Sequence, residues 1–279
     1  MRSEPCVAEN ESMLYLAGVA ARGSLHGFSA PGIEPDDGSR ACAVAVRAGK
    51  QAYDAIVVDV PHTLFCGSDA DARLQNVDWL RPRAERHEAI IREARDRTSV
   101  LPVGFGSIFS GVPALEAVLA QRADAIDDFL QQTAGCDEWS LRAYVSRRDA
   151  IARARAALEA DAESAAGSGA AYLRARRRDG EAERFAESRA LAHIELLVED
   201  LGDVIRDATE RDVIEVEDDP DRWLVAHLAL LIDRRQRAAF DERLDALAMR
   251  VERQGLGIEL TGPWSPYSFC PLLSASPEL

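Results

Sequence analysis

At 279 residues the chain is long enough for one large domain or two of ordinary size, and two is the better expectation. Its 47% apolar and 29% charged residues are those of a folded globular protein, which excludes wholesale disorder. A formal net charge of −15 repels phosphate backbones and anionic headgroups, so nucleic acid and membrane surfaces are excluded as general partners and neutral or basic proteins are left.

Residues 1 to 12 are polar and lack the apolar run of a signal peptide, and the longest apolar stretch, Trp223 to Ile232, is too short to span a bilayer. A cytosolic protein is expected. Met13 to Val19 reads as a buried strand, and a Gly/Pro/Asp-rich loop follows from Arg22 to about Arg40. Ala43 to Arg47 and Ala55 to Val60 form a hairpin pattern around Gly49. From Asp69 to Arg97, apolar residues at loose helical spacing predict two helices joined near Pro82. Ser99 to Val103 is a short strand, Gly104 to Gly111 a loop, and Pro113 to Gln132 a helix with Leu115, Val118, Leu119, Ile126 and Leu130 on one face. That completes a first domain, residues 1–135.

A second domain, 136–261, opens with Trp139, Leu141, Ala143 and Val145 alternating with polar neighbours, a half-buried strand. A long helical region from Arg148 to Asp207 is interrupted at Gly167-Ser168-Gly169 and at Asp179-Gly180, which predicts an antiparallel helical pair. Val213 to Val216 and Trp223 to Ile232 read as strands around the turn Asp218 to Asp221. A helix from about Arg235 to Gln254 carries Phe240, Leu244, Leu247 and Val251 on one face, stops at Gly255, and leads into the strand Gly257 to Leu260. Residues 262–279 form a short tail containing prolines and aromatics. In both halves the order is strand, crossover, strand, strand, helix, strand. This predicts an α+β protein of two ferredoxin-like (split βαβ) domains, the second with an enlarged helical insertion.

Candidate chemistry is sparse. The five cysteines, Cys6, Cys42, Cys66, Cys136 and Cys270, are odd in number and never in a Cys-x-x-Cys pair, so neither a disulfide framework nor a zinc site is indicated. The histidines show no metal-binding spacing, and Asp127-Asp128 and Asp218-Asp219 do not continue into a calcium loop. Gly104-Phe105-Gly106 is the nearest approach to a phosphate-cradling loop, but position 109 is Phe and no Gly-Lys-Ser/Thr follows, so a structural turn is expected. His87-Glu88 and His193-Ile194-Glu195 are neighbours of the kind a solvated charged helix produces by chance. No cofactor, metal or catalytic residue is expected. The alternative would be a small-molecule or nucleotide-binding enzyme centred on His87, Glu88 and the Gly104-Phe105-Gly106 loop.

Four segments carry a resemblance to a known family. They are Tyr15-Leu16-Ala17-Gly18-Val19; then Trp79-Leu80 with His87-Glu88 and the run from Ser99 to Phe109; then Glu138-Trp139 with Ala171-Tyr172-Leu173; and finally Gly262-Pro263-Trp264-Ser265-Pro266-Tyr267-Ser268-Phe269. In these the chain resembles the GvpL/GvpF family of gas vesicle proteins. It departs from the family at Gly104, where arginine is usual, and at Ser265, where a further proline is usual.

The resemblance implies a non-catalytic accessory protein of gas vesicle assembly, cytoplasmic or vesicle-bound. It would bind the small hydrophobic shell protein and other gas vesicle proteins, as a chaperone-like helper or as a minor vesicle component. The expected binding surface is the first domain's sheet, the Gly104 to Gly111 loop, or the tail. Pro263 and Pro266 fix φ and remove donors, which predicts an extended tail presenting Trp264, Tyr267 and Phe269. Phe105, Phe109, Trp264, Tyr267 and Phe269 are thus candidates either for partner binding or for covering a seam between the domains.

Overall fold

The computed structural model describes residues 12–271 apart from 36, 68, 164–170, 213–218 and 220, with the backbone alone for 159–163 and 171–179. The predicted interruption at Gly167-Ser168-Gly169, the predicted strand Val213 to Val216 and part of the turn after it lie outside the described residues, as do residues 1–11 and the tail beyond 271. The described chain forms two compact units: residues up to Gly135 together with those from Ser265 onward, and Cys136–Trp264.

In the first unit the chain runs β1 (Ser12–Ala21), β2 (Ser29–Pro31), β3 (Arg40–Ala48), β4 (Gln51–Pro61), then short helices α1 (His62–Phe65) and α2 (Ala70–Gln75) and the long α3 (Val77–Arg95). It continues through β5 (Val100–Pro102), β6 (Ile108–Phe109), α4 (Val112–Ala120) and α5 (Ala123–Gln132). The strands make one antiparallel sheet in the order β2-β3-β4-β1-β5, with β6 also paired to β1.

Both faces of this sheet are covered, which is why β1 reads as a continuous apolar run rather than an alternation. Tyr15 and Ala17 pack with Ile90, Ile91 and Ala94 of α3, while Leu16 and Val19 pack with Leu115, Leu119, Ile126 and Phe129 of α4 and α5. The sheet face expected to receive a partner is therefore filled by the unit's own helices. At the β1 bulge sits Gly18, where a Cβ would come within 2.8 Å of Val100 Cγ1 and 3.1 Å of the Leu101 carbonyl.

Three local expectations are corrected. The helical region breaks at Asn76, whose side chain accepts from the backbone N–H groups of Asp78 and Trp79, and Pro82 lies inside α3; a good N-cap sets the boundary more strongly than one lost backbone bond near a helix start. The single helix predicted for Pro113 to Gln132 is two, because each half is pinned to a different strand. Glu116 of α4 accepts from the Arg47 N–H of β3 at 2.7 Å, and Tyr53 of β4 donates to the Ala123 carbonyl and Asp127 of α5 at 2.9 and 2.8 Å. Finally, the connection from β1 to β3 holds turns and β2 rather than a crossover helix. Buried Asp54 organises it by accepting from Leu25 N–H at 3.0 Å and Arg22 Nη1 at 2.6 Å.

The second unit comprises β7 (Cys136–Ser146), α6 (Arg147–Glu163), α7 (Ala171–Leu201), β8 (Asp207–Glu210), β9 (Arg222–Asp233), α8 (Arg237–Glu252) and β10 (Leu256–Trp264). Its antiparallel sheet has the order β10-β7-β9-β8. Trp139, Leu141, Ala143 and Val145 of β7 join a core with Ile194, Leu197 and Leu201 of α7 and Phe240, Leu244, Leu247 and Val251 of α8. The predicted stop at Asp179-Gly180 is absent: α7 runs through Gly180, and Ala182 and Ala186 just beyond it pack against Ala154 of α6. Packing here offsets the roughly 1 kcal/mol by which glycine weakens a helix interior. Among the described residues no helix is long and apolar enough to cross a membrane.

The closing segment is not extended throughout. Its start, to Trp264, continues edge strand β10 across a bulge between Thr261 and Trp264, so Pro263 sits where a missing N–H costs little. Gly262 has φ +147°, and a Cβ there would lie 2.9 Å from the Trp139 ring. Past Ser265 the chain bends into a 3-10 turn, Tyr267–Phe269, closed by Tyr267 N–H to Ser265 O at 2.7 Å and Cys270 N–H to Tyr267 O at 3.2 Å.

Candidate functional site

The most concentrated polar chemistry of the first unit lies beneath α3. Tyr15, in the middle of β1, is fully buried, and a buried phenol needs a partner for its hydroxyl. Its partner is His87 of α3, with Nδ1 2.6 Å from the Tyr15 hydroxyl. On the other side of the imidazole, Nε2 lies 3.2 Å from the hydroxyl of Tyr267, which the closing segment delivers. Next along α3, Glu88 accepts from Ser265 Oγ at 3.2 Å and from the Tyr267 hydroxyl.

The donors and acceptors can be assigned in sequence. The Gly106 N–H donates to the Tyr15 oxygen, so the Tyr15 hydroxyl donates onward to Nδ1. The neutral ring then carries its proton on Nε2, facing the Tyr267 oxygen, while the Tyr267 hydroxyl donates to Glu88. Burial pushes the His87 pKa down to about 4, partly opposed by the Val103 carbonyl, which favours the protonated ring. Burial also pushes the Tyr15 phenol up, against the Gly106 N–H, and pushes up Tyr267, helped by the charge and hydrogen bond of Glu88.

Aromatic rings enclose these groups. Phe65 stacks on Tyr15 at 5.4 Å between centroids, and Phe105 meets Tyr15, Phe65 and His87 edge-on at 6.0, 5.7 and 5.8 Å. The result is a short relay of satisfied hydrogen bonds in an apolar surround. It ties β1, α3, the loop after β5 and the closing segment into one body. A neutral imidazole with both nitrogens engaged is suited to fixing elements in place.

Of the residues singled out from sequence, Phe105 and Tyr267 meet at this site. Phe109 and Phe269 pack instead with the core on the opposite face of the sheet. Trp264 belongs to the second unit and stays 46% exposed, its Nε1 3.4 Å from Thr261 Oγ1. His87, read as part of a solvated helix face, is instead 4% exposed and bonded on both sides. The Gly104-Phe105-Gly106 loop leads into β6 rather than a helix, and its Gly106 N–H is committed to Tyr15. Tyr15, Phe65 and Ser265 were not anticipated as members; the one available signal was a tyrosine inside an otherwise apolar strand. Among the described residues no group of His, Cys, Asp and Glu is placed to hold a metal ion.

Comparison with known proteins gives a consistent result. Residues 14–271 match the family model described as gas vesicle synthesis protein GvpL/GvpF. The chain is 31% identical over 227 residues to gas vesicle protein L of Streptomyces sp. (strain CB03234), covering 77% of this chain and 79% of that one. It is 25% identical over 201 residues to gas vesicle protein L1 of Halobacterium salinarum, covering 66% and 69%. Its fold is similar to the crystal structure of GvpF from Anabaena sp. PCC7120, with TM-score 0.70 at 16% identity over 94% of this chain and 99% of that one. GvpF from Microcystis aeruginosa gives TM-score 0.64, also at 16% identity, over 93% and 99%.

Proposed function

The chain belongs to the GvpL/GvpF family of gas vesicle proteins, and from that premise we propose that it is a non-catalytic accessory protein that binds the hydrophobic shell protein during vesicle assembly. In this reading it works in the cytoplasm and on the growing vesicle, alongside other gas vesicle proteins. Shell subunits carry an apolar face that aggregates unless masked, and an acidic binder keeps the complex dispersed.

The observation that carries the reading is the contrast within the closing aromatics. Tyr267 and Phe269 pack into the first unit, whereas Trp264 is left exposed at the end of β10, a strand that pairs with β7 alone among the described residues. An exposed tryptophan on an edge strand suits capture of an apolar partner by strand addition and ring burial. The functional division we adopt is residues 1–135, 136–261 and a closing segment 262–279. We further read both units as ferredoxin-like; the strand orders β5-β1-β4-β3 and β10-β7-β9-β8 support this.

The test is co-purification of tagged protein with the shell protein. Wild type should retain it, and Trp264→Ala should weaken retention about tenfold or more while leaving the melting temperature unchanged. Equal retention by Trp264→Ala would remove this edge as the docking surface; no retention by wild type would overturn the shell-binding reading.

A further inference from the structure

The helix layer of the second unit holds a solvent-open cavity of about 360 Å³, rimmed by the exposed Arg153, Arg189 and Arg253 and the half-buried His193 over a floor of alanines, Val145 and Leu256. Among the described residues no carboxylate lines it. In the same unit Arg147 pairs with Glu183, Arg250 with Asp200 and Arg234 with Asp137. By contrast, Arg253 bonds the Met249 carbonyl at 3.1 Å, Arg153 bonds the Gln254 carbonyl, and Arg189 has no hydrogen-bond or ion-pair partner among the described residues.

The position of Arg153 depends on its surroundings. Gly255 ends α8 with φ +86° and its N–H bonds the Glu252 carbonyl at 2.8 Å; a Cβ on residue 255 would collide with the Arg153 guanidinium. The bare glycine lets that guanidinium lie against the carbonyl end of α8, where a cation is favoured. The three exposed guanidinium groups repel one another only weakly through water, and an anion seated among them at the cavity mouth converts that repulsion into attraction.

We propose that this cavity binds a small organic anion carrying a phosphate group. Guanidinium forks match phosphate oxygens in charge and geometry, and a doubly charged group engages several of them at once. The apolar floor takes the uncharged body of the ligand, and the volume lies in the range of small-molecule sites.

The test uses the full chain in calorimetric titrations with inorganic phosphate, adenosine monophosphate, adenosine and an acidic peptide. Adenosine monophosphate should bind, phosphate should bind more weakly, and adenosine should not bind. Arg189→Ala and Arg253→Ala should each lower affinity about tenfold, and Arg243→Ala, which lies outside the cavity, should leave it unchanged. Melting temperatures without ligand separate loss of binding from loss of fold. The proposal is overturned if neither phosphate compound binds up to about 10 mM, if Arg189→Ala/Arg253→Ala binds as wild type does, or if only the acidic peptide binds, which would assign the cavity to a protein partner.

Discussion

Tyr267 lies 180 positions after His87 in the chain, yet its hydroxyl is 3.2 Å from the imidazole Nε2. That contact is one of several that hold the closing segment in the first unit, beside the Ser265 and Tyr267 bonds to Glu88 and the packing of Tyr267 and Phe269. Tyr267→Phe keeps the ring and removes the hydroxyl, leaving the Nε2–H and Glu88 each short of one partner. The expected cost is about 1–3 kcal/mol in urea unfolding. Limited proteolysis should then cut first after Trp264; an unchanged cleavage pattern would mean that ring packing alone holds the segment.

Acid should weaken the first unit through His87. Its pKa is about 4 in the folded protein against 6.5 in an exposed histidine, so between those values the unfolded chain binds the extra proton and the native state does not. Stability is retained above pH 6.5 and falls as the pH drops toward 4, by on the order of 3 kcal/mol in total. A His87→Gln variant should show a flatter stability profile across this window, measured by urea midpoints at several pH values.

Asp54 should govern the loop from β1 to β3. Burial opposes its charge, but the N–H groups of Leu25 and Gly23 and the Arg22 guanidinium hold its pKa below the usual range. Asp54→Ala leaves those donors unmet and should cost about 1–3 kcal/mol. Hydrogen exchange should rise at Gly23 and Leu25 before it rises in β4.

Gly180 offers a gain. It is helical, and a Cβ there would meet nothing within 4 Å, so Gly180→Ala should raise stability by about 0.5–1 kcal/mol. A loss in thermal unfolding would mean that the added methyl group is not accommodated at this position.

The strands with strong patterns were legible in the sequence: Met13 to Val19, the hairpin around Gly49 and the alternation from Trp139 to Val145 lie within β1, β3 with β4, and β7. β8 was not, because Asp207, Ala208, Thr209 and Glu210 carry no apolar alternation and owe their strand state to pairing with β9. Pro82 is the stronger break signal in the sequence, because Asn76 acts as a cap only through the Asp78 and Trp79 amides that the fold turns toward it. The site was half legible. Phe105 and Tyr267 stood out as aromatics in distinctive segments, but His87 sits in a charged stretch, and only the fold brings Tyr15 to one side of it and Tyr267 to the other.

Because Ser265 onward belongs with the residues before Gly135, the second unit is spliced into the first along the chain. During synthesis from the N-terminus, β1 and α3 leave the ribosome long before Tyr267 exists, so the His87 relay stays open while Cys136–Trp264 is made and folds. Closure of the first unit is thus a late event in the life of each molecule.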